Sequence, residues 1–208
     1  MHTAALTFGS SDDSEELARA ELYGLLARLW LAPPDAPLLQ QFALAVTQAP
    51  HPGGVLEAPW QDLVAALRAT TLEAAAAEHV ALFHGVGKAE VFAYASFHLA
   101  GFLNEKPLAA LRHDLAALGL TRDSAALETE DHIAYLFEVM RYLIAGDDVA
   151  VCNLEQQRRF YRAHLQPWVH KLCDSVIAHP RADTWRAVAT FTQEFIAVET
   201  QAFDMLET

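Results

Sequence analysis

The chain of 208 residues is 53% apolar by the AVILMFWYC count, with a mean hydropathy of +0.13, which excludes a low-hydropathy disordered polypeptide. Its 14 basic and 27 acidic residues leave a formal charge of −13. Non-specific binding to nucleic acid or to an anionic membrane needs the opposite sign, so the charge points to a soluble protein and suits a cationic partner. The length predicts one domain or two closely packed parts.

Nearly every segment repeats its apolar residues with helical period, and Ala, Leu, Glu, Gln and Arg, the strong helix formers, dominate. Residues 14–32 form an amphipathic helix with Leu17, Leu22, Leu25, Leu26 and Leu29 on one stripe, Ser14 as its N-cap and Pro33-Pro34 as its stop. A second helix is predicted from Asp35 to Ala49, then a loop through Pro50, Pro52, Gly53 and Gly54, then helices near 59–70 and 72–84 that end at Gly85-Val86-Gly87. Residues 90–103 carry Phe92, Tyr94, Phe97 and Phe102. A turn at Asn104–Pro107 leads into a helix over 108–118, and Gly119–Leu127 reads as a connector. The next helix is predicted from Thr129, as its cap, to Gly146. A long helix over 153–179, broken or kinked at Pro167, and a last helix over 183–206 follow. No alternating β pattern and no repeat occurs, so the predicted class is all-α with about eight to ten helices.

Motifs for catalysis and metal binding are mostly missing. GxSxG, HExxH, GxGxxG and ExxH do not occur, and no two histidines stand four apart, so neither a metal nor a cofactor is expected. Gly85–Ala89 lacks the first glycine and the Ser/Thr of a phosphate loop. Cys152 and Cys173 form no CxxC and are expected as reduced thiols. The acidic Asp12, Asp13, Glu15 and Glu16 argue against a signal peptide, and no apolar run reaches 18 residues, so the cytoplasm is the expected compartment.

Two constellations stand out. In Glu128-Thr129-Glu130-Asp131-His132-Ile133, the apolar residues Ile133, Leu136, Met140 and Leu143 that follow fall on one helical stripe and belong to the core. The polar group before them reads as an ordinary helix start. It also offers Glu128, Glu130 and Asp131 as carboxylates for a guanidinium partner. The second is Glu78-His79-Val80-Ala81-Leu82-Phe83, followed by the aromatic stretch, which suits either a core or an apolar groove for a peptide.

These residues resemble the TorD/DmsD family of molybdoenzyme maturation chaperones, over most of the chain. Tyr23–Trp30 with Pro33-Pro34 is similar to the family's first helix and its stop, and Leu82-Phe83 to its Leu-Phe-x-Gly segment. Glu128–Met140 is similar to its signature of an acidic residue and Pro-Asp-His-Ile, and Phe160–Leu165 with Trp168 to its late Phe-x-x-x-His-Leu-x-x-Trp helix. Glu130 stands where that signature has proline. The resemblance implies a non-catalytic, all-helical chaperone with an N-terminal part (about 1–118), a hinge (about 119–127) and a C-terminal part (about 128–208), found as a monomer or a domain-swapped dimer. It implies binding of the twin-arginine leader of a molybdopterin oxidoreductase subunit, held until cofactor insertion precedes export. The implied peptide-binding residues are Asp131 and His132, with Glu128, Tyr23, Leu82 and Phe83 beside them, and Asp131→Ala is expected to weaken leader binding and leave the fold intact. The alternatives are an assembly chaperone of a non-exported molybdoenzyme such as a nitrate reductase, a small helical nucleotide-binding protein or enzyme, and a structural interaction module.

Overall fold

The computed structural model describes residues 11–44, 53–84 and 89–206. Among them are ten α-helices, one π-helical turn and no strand: α1 (Ser11–Leu31), α2 (Ala36–Leu44), α3 (Glu57–Ala69), α4 (Leu72–His79) with the π turn Val80–His84, α5 (Ala95–Ala100), α6 (Lys106–Ala117), α7 (Ile133–Ala145), α8 (Leu154–His164), α9 (Val169–Ile177) and α10 (Thr184–Met205). The all-α class and the helix number agree with the periodicity. The side chain of Ser14, the loop over 50–52 and the glycine break over 85–87 lie outside the described residues.

One buried cluster runs through the helices before and after the 119–127 connector. Its axis is α1 against α7, the most extensive helix pair, with α10 packed across α3, α4 and α9. The inward face of α1 is Ala20, Tyr23, Leu26, Ala27, Leu29 and Trp30, whereas Leu17, expected on the stripe, is 57% exposed. Hydrogen bonds account for the rotation. The Tyr23 hydroxyl donates to Glu199 at 2.9 Å and Trp30 Nε1 donates to the Thr192 hydroxyl at 3.0 Å, so the aromatic side of α1 turns to α10. On α7 the predicted stripe of Ile133, Leu136, Met140 and Leu143 is buried as read.

Two boundaries differ from the sequence reading. The helix expected from 72 to 84 changes to a π turn at Val80. Within that turn the Leu82 carbonyl accepts the amides of Glu90 (3.1 Å) and Val91 (2.9 Å). The helix expected from Thr129 begins only at Ile133, because residues 131–133 pair with 93–95 in an isolated antiparallel bridge. The segment 153–179 is broken around Pro167, as read, into α8 and α9, because Pro167 has no amide to donate.

Two long-range polar ties fix α10. At its N-terminus the Glu78 carboxylate of α4 accepts the amides of Asp183 (2.8 Å), Thr184 (3.0 Å) and Trp185 (2.8 Å), which supplies the cap that the Asp183 side chain does not. Nearer its C-terminus the buried Glu199 accepts both Nε and Nη2 of Arg19 at 2.9 Å, as well as the Tyr23 hydroxyl. Arg19 also reaches Glu16 at 2.7 Å and Gln157 at 3.4 Å, and Gln157 donates to the Leu143 carbonyl at 3.2 Å. Burial opposes the Arg19 charge, but the hydrogen bond and field of Glu199 outweigh it and raise the guanidinium pKa above its ordinary value. A bidentate, charge-assisted pair in this setting strands its partner when one member is removed. Glu199→Ala is expected to lower the unfolding free energy by about 3 kcal/mol. Urea denaturation checks this, and unchanged stability would remove the network from the account of the fold.

Candidate functional site

The polar signature lies where the connector meets α7. Its geometry follows from how a short helix obtains its cap. The first two amides of α5 need acceptors, and Asp131 supplies both. Its carbonyl accepts the Ala95 amide at 3.0 Å, and its Oδ2 accepts the Ser96 amide at 2.9 Å. The other carboxylate oxygen accepts the Thr129 hydroxyl at 2.6 Å. The Ile133 amide donates to the Ala93 carbonyl at 2.9 Å, completing the bridge. Asp131 is 1% exposed, so its carboxylate belongs to the interior.

His132 follows as the N-cap of α7. Its Nδ1 accepts the Ala134 amide at 3.3 Å, and its ring meets that of Tyr94 edge-on at 5.1 Å. Burial pushes its pKa down to about 4, against the opposing fields of Glu128 and Asp131. The neutral ring with Nδ1 unprotonated is the form the cap requires. Glu128, half-buried, accepts the Tyr94 hydroxyl. Asp131, His132 and Glu128 are thus brought together around Tyr94 and the start of α5.

The other three residues named from the sequence lie on α1 and on the π turn, whose His84 is near enough to lower the pKa of His132. Tyr23 is fully buried in the Glu199 network. Leu82 is fully buried on the π turn, where its carbonyl accepts the amides of Glu90 and Val91. Phe83, half-buried, packs edge-on against Trp30 at 5.8 Å and Trp185 at 6.1 Å. His79 sits beside them at 5.0 Å from Phe83. Its buried Nε2 has no hydrogen-bond partner, and burial, followed by the His84 charge, lowers its pKa to about 4. The late motif is structural as well: His164 Nε2 meets Asp114 of α6 at 2.8 Å, and Trp168 Nε1 donates to the His164 carbonyl at 2.6 Å.

The carboxylate that reaches the surface beside the signature is Glu130. It receives Arg112 Nε at 3.1 Å and Nη2 at 2.8 Å, and Arg122 Nε stands 3.9 Å away. The Arg112 hydrogen bond, ahead of the opposing effect of burial, lowers the Glu130 pKa below the usual carboxylate range. Arg122 also donates to the carbonyls of Ala126 (2.9 Å) and Glu128 (3.0 Å), stapling the connector into a fixed shape. Because Arg112 is half exposed, the ion pair contributes only about 0–1 kcal/mol.

Glu130 stands on the rim of a groove of about 360 Å³ between α6, the connector and α7. Leu115, Leu120, Ala126, Tyr135, Val139 and Tyr142 line it together with Arg122; Asp123 and Glu138 join Glu130 among the lining residues, and Glu138 is paired with Arg141 at 2.8 Å. Nothing in the linear pattern placed Leu115 and Leu120 opposite Val139 and Tyr142. The fold of the connector does so. Two other clefts include no residue of the 128–132 segment. A cleft of about 450 Å³ between α1, α2, α3 and α7 offers Arg28 and Arg141 beside its carboxylates. Another of about 510 Å³, walled by the stacked Phe92 and Phe97, holds Glu90, which is already clasped by His179 at 2.7 Å and Arg181 at 3.0 Å. The remaining aromatics of that stretch part company, with Tyr94 against His132 and Phe102 71% exposed.

Among the described residues no cluster of three metal-ligating side chains occurs, and no helix is long and apolar enough to cross a membrane. Both cysteines are free. The profile of the nitrate reductase delta subunit family matches residues 54–174, more than half of the chain. A crystal structure from Archaeoglobus fulgidus, described as that of a candidate redox enzyme maturation protein, aligns with a TM-score of 0.52 at 17% identity, over 95% of this chain and 99% of that one. At that identity the likeness speaks for the fold. No curated protein sequence matches the chain.

Two outcomes follow from the geometry. Asp131→Ala removes the acceptor of the Ser96 amide and of the Thr129 hydroxyl, so the variant is expected to lose about 1–3 kcal/mol of stability, read by chemical denaturation. His79 and His132 have folded pKa values of about 4 against 6.5 when exposed. The unfolded chain then binds more protons between these values, so their contribution is complete above pH 6.5 and is lost as the pH falls towards 4. The melting temperature is expected to drop through that window, and a flat profile would contradict the assignment.

Proposed function

Because the chain belongs to the nitrate reductase delta subunit family, whose members are redox-enzyme maturation chaperones and not catalysts, we propose that it binds the twin-arginine leader of a molybdopterin oxidoreductase catalytic subunit. It holds that subunit in the cytoplasm until its cofactor is inserted. The observation that carries this reading is the apolar groove beside the signature segment, rimmed by Glu130 and Glu138 on a chain of charge −13. A leader joins a basic end to an apolar stretch. The rim carboxylates and the overall charge favour encounter with the first, and burial of the second supplies most of the affinity. Glu128, Asp131 and His132 serve the site by shaping the segment that presents Glu130. Leu82, Phe83 and Tyr23 support the surrounding core.

A second reading shares the fold and the groove: an assembly chaperone for a non-exported nitrate reductase, which binds a terminal segment without twin arginines. The description of the matching family favours it. Affinity purification of the tagged protein from its native host, with mass spectrometry of what accompanies it, separates the two. A molybdopterin oxidoreductase precursor with its leader intact is expected. A molybdoenzyme subunit without such a leader would select the second reading, and no molybdoenzyme at all, from cells shown to express several, would remove both.

A further inference from the structure

We propose that Glu130 is an arginine-exchange site. In the free protein its carboxylate is held by Arg112, and an arginine of the bound segment takes the place of Arg112 while the apolar residues that follow enter the groove between α6, the connector and α7. The inference rests on the leader-binding reading above and adds where the guanidinium is read and what it displaces.

Two independent observations carry it. The first is the groove itself, whose walls are side chains of Leu115, Leu120, Ala126, Tyr135, Val139 and Tyr142, with Glu130 at its edge. Its chemistry calls for an apolar occupant that carries a cation at one end. The second is the pairing at that edge. Arg112 engages Glu130 through Nε and Nη2, the two-pronged geometry that a guanidinium adopts on a carboxylate and an ammonium cannot. The two partners are unequally placed. The Glu130 side chain is 14% exposed and that of Arg112 is 53% exposed. Glu130 is therefore fixed by its surroundings, and Arg112 is the member that can swing into solvent without moving the backbone.

Exchange keeps the carboxylate paired throughout. One guanidinium replaces another, so neither state leaves a half-buried charge alone. Arg122 stays in place during the exchange, because its Nη1 is held by the carbonyls of Ala126 and Glu128, and the connector wall of the groove persists. Arg112 then acts as a built-in competitor. It tempers affinity for any arginine-bearing segment and excludes those that cannot offer a planar fork. Selectivity comes from the exchange, and affinity comes from the groove.

The test uses the full-length protein and a synthetic peptide with two adjacent arginines followed by a stretch of alanine and leucine, beside its twin-lysine counterpart. Binding is followed by calorimetry, and melting curves establish that each variant is folded. Arg112→Gln removes the competitor and is expected to tighten the twin-arginine peptide about threefold to fivefold, the span of an exposed ion pair. Glu130→Gln is expected to weaken it about tenfold and to abolish the preference for arginine over lysine. In the Glu130→Gln background, Arg112→Gln is expected to have no effect, because the two act through one contact. If the wild-type protein binds the peptide, but Arg112→Gln does not tighten it and Glu130→Gln keeps the arginine preference, the exchange is wrong and the leader-binding reading stands. If neither the wild-type protein nor any variant binds the peptide, both fall.

Discussion

Glu199 carries a carboxylate into the interior, 2% exposed, and α1 meets it with Arg19 and Tyr23. An unpaired charge at that depth is untenable, so the packing of the first helix against the last is set by electrostatics as much as by apolar area. The same network ties α1 to α7, because Arg19 also reaches Gln157 and Gln157 donates to the Leu143 carbonyl in the last turns of α7. With α7 so placed, its N-terminus falls beside α5, and the signature residues can serve both helices.

At that junction neighbouring residues take opposite roles. Asp131 turns inward and caps α5, whereas Glu130 turns outward to the arginines and the groove. The buried carboxylate builds the segment and the outer one meets whatever approaches. A buried support and a partly exposed carboxylate on adjacent residues fix the backbone at the groove edge, so a change of partner at Glu130 needs only side-chain motion.

Helix periodicity made most of the fold legible. The stripe of α7, the proline stop after α1 and the break at Pro167 could be read locally, because each depends on residues within a turn or two. Legibility failed where a residue answers to a distant partner. Leu17 fits the apolar stripe of α1, yet the hydroxyl of Tyr23 and the indole of Trp30 rotate the helix towards α10. Thr129 has the chemistry of a cap, yet Asp131 is drawn to α5 and the helix starts four residues later. The candidate site was legible as a segment, 128–132, but its division into an inward and an outward carboxylate was not. That division depends on Ser96 and Arg112, which lie 35 and 18 residues from their partners. The groove walls were hidden for the same reason.

The cap that Glu78 places on α10 joins amides more than 100 positions further along the chain. During synthesis α4 emerges long before α10, so the carboxylate is made without its donor partners while the residues between them are added. The same holds for Arg19 and Tyr23, whose partner Glu199 comes 180 and 176 positions later. The residues of the α1–α7 axis and of the groove all precede α10 in the chain, so the ties at Glu78 and Glu199 are the contacts that gain their partners last. The last helix thus closes ties to both early ends of the fold, to α4 through its first amides and to α1 through Glu199.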